Sequence, residues 1–149
     1  MQINSLSHTP VYVVDQERAR QFYVDKLGFE VRSDLKMGEF RWLTVAPKAQ
    51  RQPELILMPL VASPLMDATV VAAFRALQDK GALGCGVLET DDCQALYESL
   101  KKKGVAFRTP PGTTAVWPRG GAPRRFRQLV LAGSTAGIVP TAGCSAPRR

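Results

Sequence analysis

SHTPVYVVDQERARQFYVDKLGFEVRSD, residues 7–34, decides the fold, because a fainter copy of its layout recurs in CGVLETDDCQALYESLKKKGVAF, residues 85–107. Each copy reads as a short apolar strand, an Asp, a helix, and a Gly that opens a second strand. Asp15 to Gly28 and Asp91 to Gly104 are each thirteen positions apart, and the copies are offset by 76. Repeats of roughly 20–50 residues build solenoids and propellers. The longer offset implies instead a duplicated βα unit, giving two half-domain modules able to enclose one cleft.

Outward from the first copy, residues 6–14 read as a strand with Asp15 as the N-cap of the next helix. Ala19, Phe22, Tyr23 and Leu27 form one apolar stripe that should pack on a sheet. Gly28 falls where a helix C′ residue takes positive φ, and alternation restarts at Phe29. Strands are expected at 40–46 and 54–60, separated by the polar, Pro-bearing loop 47–53, so the first module is βαβββ. A linker helix follows at 67–80, with Val70, Val71, Phe74 and Leu77 on one side and Gly81 as its stop.

The second module opens with a strand at 83–89. Asp91 or Asp92 caps a helix whose Leu96 and Leu100 face inward, with Lys101, Lys102 and Lys103 complementing its dipole in the last turn. Gly104 begins another strand, 110–112 is a turn, and 113–117 reads as a strand. Past Trp117 the pattern changes: 126–131 fits one short strand, and 132–149 is rich in Gly, Ala, Ser, Thr and Pro with no period. The expected division is a single domain over 1–131, with module one at 1–62, the linker region at 63–82 and module two at 83–131. A poorly ordered tail is expected at 132–149.

A chain of 149 residues with 45% hydrophobic content has the size of one ordinary domain and can bury a core. No apolar run approaches the ~18–20 residues of a membrane span, and residues 1–20 lack the layout of a secretory signal. We therefore expect a cytoplasmic protein with no membrane partner. Cys85, Cys93 and Cys144 are odd in number and scattered, which fits reduced thiols. The net charge of +7 is unevenly placed: residues 117–149 hold six Arg and no Lys, Asp or Glu. Elsewhere fourteen Lys and Arg face thirteen Asp and Glu, a near-neutral body that argues against nucleic acid as partner.

The layout βαβββ twice with a linker helix, and the run "Asp, few residues, FY, few residues, LGF" inside HTPVYVVDQERARQFYVDKLGFEV, resemble the vicinal-oxygen-chelate superfamily. That superfamily contains glyoxalase I, extradiol dioxygenases, fosfomycin-resistance enzymes and bleomycin-resistance proteins. The match covers residues 3–60 well and 83–117 fairly; after Trp117 the chain departs from the pattern. The resemblance implies an α+β fold of two βαβββ half-barrels forming a curved mixed sheet, and a homodimer. It also implies a small oxygenated ligand held between the half-barrels.

In active members of the superfamily a divalent metal such as zinc, nickel, manganese or iron chelates two substrate oxygens and stabilises the oxyanion that develops. Carried over by register, its first-strand ligand falls on His8, the single His of the chain. The alternative for His8 is a half-exposed strand residue bonded to backbone. The fourth-strand position of module one falls on Glu54, as ligand or proton acceptor and so as catalytic candidate. Following Pro53, Glu54 also fits an exposed strand start. The first-strand position of module two falls on Cys85, which otherwise reads as a small buried residue. No Asp or Glu occurs after Glu98 to serve as a fourth ligand.

Trp42, Met58 and Trp117 are candidate ligand-lining residues, as is Phe40. We read the alternation through Glu39 and Arg41 as placing Phe40 and Trp42 on opposite faces. Three function classes follow: a glyoxalase/bleomycin-resistance-like binding protein, with or without a divalent metal; a metal-dependent lyase or dioxygenase; and an interaction module with a basic tail. The missing carboxylates weigh against the second, and the neutral body against the third.

Overall fold

The computed structural model describes residues 2–64, 66–107, 128–134 and 137–143. The chain divides into two compact units, Met1–Leu77 and Gln78–Arg149.

In the first unit β1 (His8–Val13) leads into α1 (Gln16–Gln21), which continues as a π-helical turn, Phe22–Lys26. Next come β2 (Glu30–Met37), β3 (Phe40–Ala46) and β4 (Glu54–Pro59), the expected βαβββ order. They form a curved, open four-stranded sheet in the order β1-β4-β3-β2, with β1 parallel to β4 and the other neighbours antiparallel. Asp15 caps α1 as its spacing requires: its Oδ1 accepts the Arg18 N–H at 2.8 Å. Gly28 takes φ 76°, ending the helical segment.

Alternation along the strands separates two faces. Val11, Val13, Leu43, Val45 and Leu57 are buried, and Ala19 and Tyr23 of the helical stripe are buried with them, α1 packing on β4. An ion cluster ties the rim of this layer together. Arg41 on β3 grips Asp34 of β2 through two hydrogen bonds of 2.7 Å, and its Nη1 donates to Glu17 of α1 at 3.2 Å. Glu17 also takes Arg20 at 2.6 Å. The Arg41 guanidinium holds the Asp34 carboxyl below its ordinary pKa, and Arg20 followed by Arg41 does the same for Glu17.

At the far edge β2 carries a bulge between Val31 and Ser33. The extra residue, Arg32, donates to the carbonyls of Lys48 and Gln50 at 3.1 and 3.0 Å, fastening the β3–β4 loop to the edge strand. α2 (Ala68–Asp79) follows where the linker helix was expected. Its Arg75 donates to Leu60 O at 3.1 Å, and its Phe74 ring lies 4.8 Å from Tyr12.

The second unit contains β5 (Gly84–Glu89), α3 (Cys93–Lys102), β6 (Gln128–Ser134) and β7 (Gly137–Gly143). The strands form an antiparallel sheet in the order β5-β6-β7. Of the two Asp candidates, Asp92 is the cap, accepting the Ala95 N–H at 2.9 Å. The second copy thus has one residue fewer between cap and glycine than the first. The π-helical turn absorbs the difference: Phe29 N–H reaches Tyr23 O, six residues back, where Val105 N–H reaches Leu100 O, five back. A single inserted residue in an α-helix produces such a turn.

Several expectations are corrected. Residues 105–107 form no strand, because Val105 closes the helix end and the Phe107 ring packs 4.6 Å from Tyr97. The stretch from Ala132 onward, read from composition as a tail, carries the end of β6 and all of β7, whose backbone pairing does not depend on an apolar period. Cys93 is buried and disulfide-bonded, not a reduced thiol. The strand expected at 113–117 lies outside the described residues.

Leu57→Ala should cost about 2–5 kcal/mol in urea unfolding, whereas Leu35→Ala, at a side chain 59% exposed, should stay within about 0.5 kcal/mol. Both carboxyls of the Arg41 cluster have depressed folded pKa values, so their contribution is full above the unfolded value near pH 4 and is lost as pH falls through the lower folded values. Arg41→Met should therefore lower the Tm at pH 7, and its gap from wild type should close as pH falls below about 4.

Candidate functional site

The parallel pairing of β1 with β4 starts at His8↔Glu54, so two residues 46 positions apart become neighbours. The separation is 3.7 Å between His8 Nε2 and Glu54 Oε2, an ion-pair distance too long for a hydrogen bond. His8 is oriented through its other ring nitrogen, and Glu54 through the same oxygen that faces the imidazole. Ser7 Oγ lies 2.9 Å from His8 Nδ1, and the Thr44 hydroxyl donates to Glu54 Oε2 at 2.7 Å. Thr44 is fully buried, while the His8 and Glu54 side chains keep 34% and 21% of their surface exposed. The pair is therefore fixed in direction and still reachable from solvent.

Rings extend from this pair along β3. The Trp42 indole meets the His8 imidazole edge-on at 5.4 Å, and Phe40 meets Trp42 edge-on at 6.4 Å. Phe40 and Trp42 therefore share a face, which corrects the expectation that they oppose one another: residues two apart on a strand point the same way. By register the same face takes Leu35 and Met37 from β2, opposite Trp42 and Phe40. Ile56 and Met58 join from β4, and Tyr12 from β1. Leu35 and Met37 are 59% and 52% exposed, so the β2 end of this apolar face stands open, while at β1 Phe74 of α2 packs on Tyr12.

Of the expected residues, the structure brings together His8, Glu54 and Trp42, and puts Met58 on their face. Trp117 lies outside the described residues, and Cys85 is placed on β5 of the second unit. Sequence reading missed Thr44 and Ser7. Thr44 was within reach of the same period-two count, two positions past Trp42. The local bond from Ser7 carries no sequence signal.

His8 and Glu54 are the right residue types for zinc, nickel or iron, although the Glu54 oxygen that faces the imidazole already accepts the Thr44 hydroxyl. Among the described residues no third His, Cys, Asp or Glu joins them. Two protein donors fall short of the three that catalytic zinc sites use, so this pair by itself does not make a metal site. As it stands it offers a carboxylate acceptor and an imidazole beside an aromatic row, a surface suited to a ring-bearing molecule with a polar edge.

Residues 5–127 match the family model described as Glyoxalase/Bleomycin resistance protein/Dioxygenase superfamily, which runs past Trp117 where the sequence pattern fades. The uncharacterized protein YurT of Bacillus subtilis (strain 168) is 36% identical over 104 residues, covering 69% of this chain and 77% of that protein. Among solved structures, UcmS2 superposes with a TM-score of 0.71 at 35% identity, covering 95% of this chain and 98% of its own. TnmS3, an antibiotic binding protein from Streptomyces sp. CB03234, superposes with a TM-score of 0.62 at 27% identity, covering 97% and 99%. With the βαβββ sheet, these matches make the chain a member of the glyoxalase/bleomycin resistance protein/dioxygenase superfamily.

Proposed function

We propose that this protein binds and sequesters a small, ring-bearing oxygenated molecule on the open face of the first sheet, without requiring a metal. The observation that carries the reading is the continuous row His8, Trp42, Phe40 beside exposed Leu35 and Met37. Ring faces and edges there offer stacking contacts, and the His8–Glu54 pair at the end of the row offers one acceptor and one donor to fix orientation. The antibiotic-binding description of TnmS3 supports the same reading. In this proposal the protein works as a cytoplasmic homodimer, the second copy helping to enclose the ligand.

A second reading is favoured by the geometry of the pair itself. The resemblance carries first- and fourth-strand ligand positions onto His8 and Glu54, whose Nε2 and Oε2 lie 3.7 Å apart. In that reading the two residues would hold a divalent ion with further donors, the ion would supply Lewis acidity, and Glu54 would serve as ligand or proton acceptor.

Bleomycin, followed by a panel of ring-bearing antibiotics, should quench the protein's tryptophan fluorescence and bind at micromolar concentration in calorimetry. Trp42→Ala should weaken that binding about tenfold, or roughly 1.4 kcal/mol. No binding across the panel, or equal binding by Trp42→Ala, would overturn the first reading. The second is tested by titrating metal-free protein with nickel, zinc, manganese and iron(II). It requires stoichiometric uptake that disappears in both His8→Ala and Glu54→Gln, and uptake that survives either change removes the pair as ligands.

A further inference from the structure

The ladder between β3 and β4 stops early. β4 stays paired with β1 along its whole length, from His8↔Glu54 to Val13↔Pro59, while its pairing with β3 is confined to Val45↔Leu55 and Thr44↔Ile56. Glu54 and Leu60 donate their N–H groups to the carbonyls of Ser7 and Val13 on the β1 side. The alternate residues of β4, Leu55, Leu57 and Pro59, therefore turn their backbone groups toward β3. Continued in the same register, the ladder would set Leu43 against Leu57 and Arg41 against Pro59. Proline has no N–H, so the Arg41 carbonyl would find no donor there.

A side chain takes over. The Gln16 amide nitrogen donates to Arg41 O at 3.0 Å and to Leu57 O at 2.7 Å, one hydrogen to each strand. Gln16 opens α1, and the helix reaches the sheet at the place where β3 leaves β4. On the other face of the sheet that departure runs beside Trp42, which the continued register would set against Met58.

We propose that Gln16 is a positioning residue for the ligand face. Standing between β3 and β4 and satisfying both carbonyls, it holds the strands that carry Trp42 and Met58 apart and keeps a slot open beside the indole. Pro59 is its counterpart, since a residue with an N–H at that position would let the ladder close. The inference rests on the proposed ligand face for its consequence in binding. The strand spacing is measurable with no ligand present.

The test labels the full chain with 5-fluorotryptophan and reads the Trp42 fluorine resonance, assigned by its disappearance in Trp42→Phe. Gln16→Met keeps the length and removes both hydrogens. It should displace the Trp42 resonance beyond its linewidth and lower the Tm. Gln16→Met with Pro59→Ala gives the Arg41 carbonyl a backbone donor, so the Tm should recover while the resonance stays displaced, because the strands now close. A Trp42 resonance unmoved by Gln16→Met, or one that returns to its wild-type position together with the Tm in the double variant, overturns the proposal. Should Gln16→Met fail to fold, Gln16→Asn decides, since it keeps both hydrogens on a shorter side chain: a displaced resonance supports the proposal and an unmoved one overturns it. A wild-type protein that does not bind bleomycin would count against the ligand reading alone, because the resonance reports strand spacing without it.

Discussion

The first unit depends on the burial of one face of its sheet. Val11 and Val13 on β1, Leu57 on β4, and Leu43 and Val45 on β3 leave water together with Ala19 and Tyr23. Non-directional burial of that apolar surface is the largest favourable term available to a sheet of this size. Once α1 is committed to that face, alternation leaves Trp42, Phe40, Leu35 and Met37 on the other. An apolar strip exposed at its β2 end is thus a consequence of the packing.

Polar contacts then fix what burial alone leaves loose. The Arg41 cluster reaches from β2 across β3 to α1, Arg32 fastens the β3–β4 loop, and Gln16 supplies hydrogens to carbonyls that the sheet abandons. Each bond contributes modestly, since folding exchanges it for bonds to water. Their common effect is geometric: they set how far the strands splay and how the edges lie, and so the shape of the face that carries His8, Trp42 and Glu54.

The site shows how members of one superfamily come to differ in chemistry while sharing a scaffold. His8 and Glu54 are residue types suited to metal ligands, yet each is hydrogen-bonded to a neighbour, His8 to Ser7 and Glu54 to Thr44, beside a row of rings. Function here has to be argued from those side chains and not from the fold.

The sequence by itself determined the βαβββ order, the capping Asp15, the positive φ at Gly28 and the strands at Phe40–Ala46 and Glu54–Pro59, because caps, glycines and apolar periods act within a few residues. It also singled out His8 and Glu54 through the family register, and Trp42 as an aromatic able to line a groove. Only the tertiary structure decided that His8 stands against Glu54, that Thr44 bonds the carboxylate, and that Asp92 rather than Asp91 caps α3 with a π-helical turn balancing the count. It also decided that Gln16 bridges two strands and that β6 and β7 form in a stretch with no apolar period. The physical reason is range: strand register and side-chain bridges join residues tens of positions apart, and no local pattern records which carbonyl will be left without a partner when two strands part.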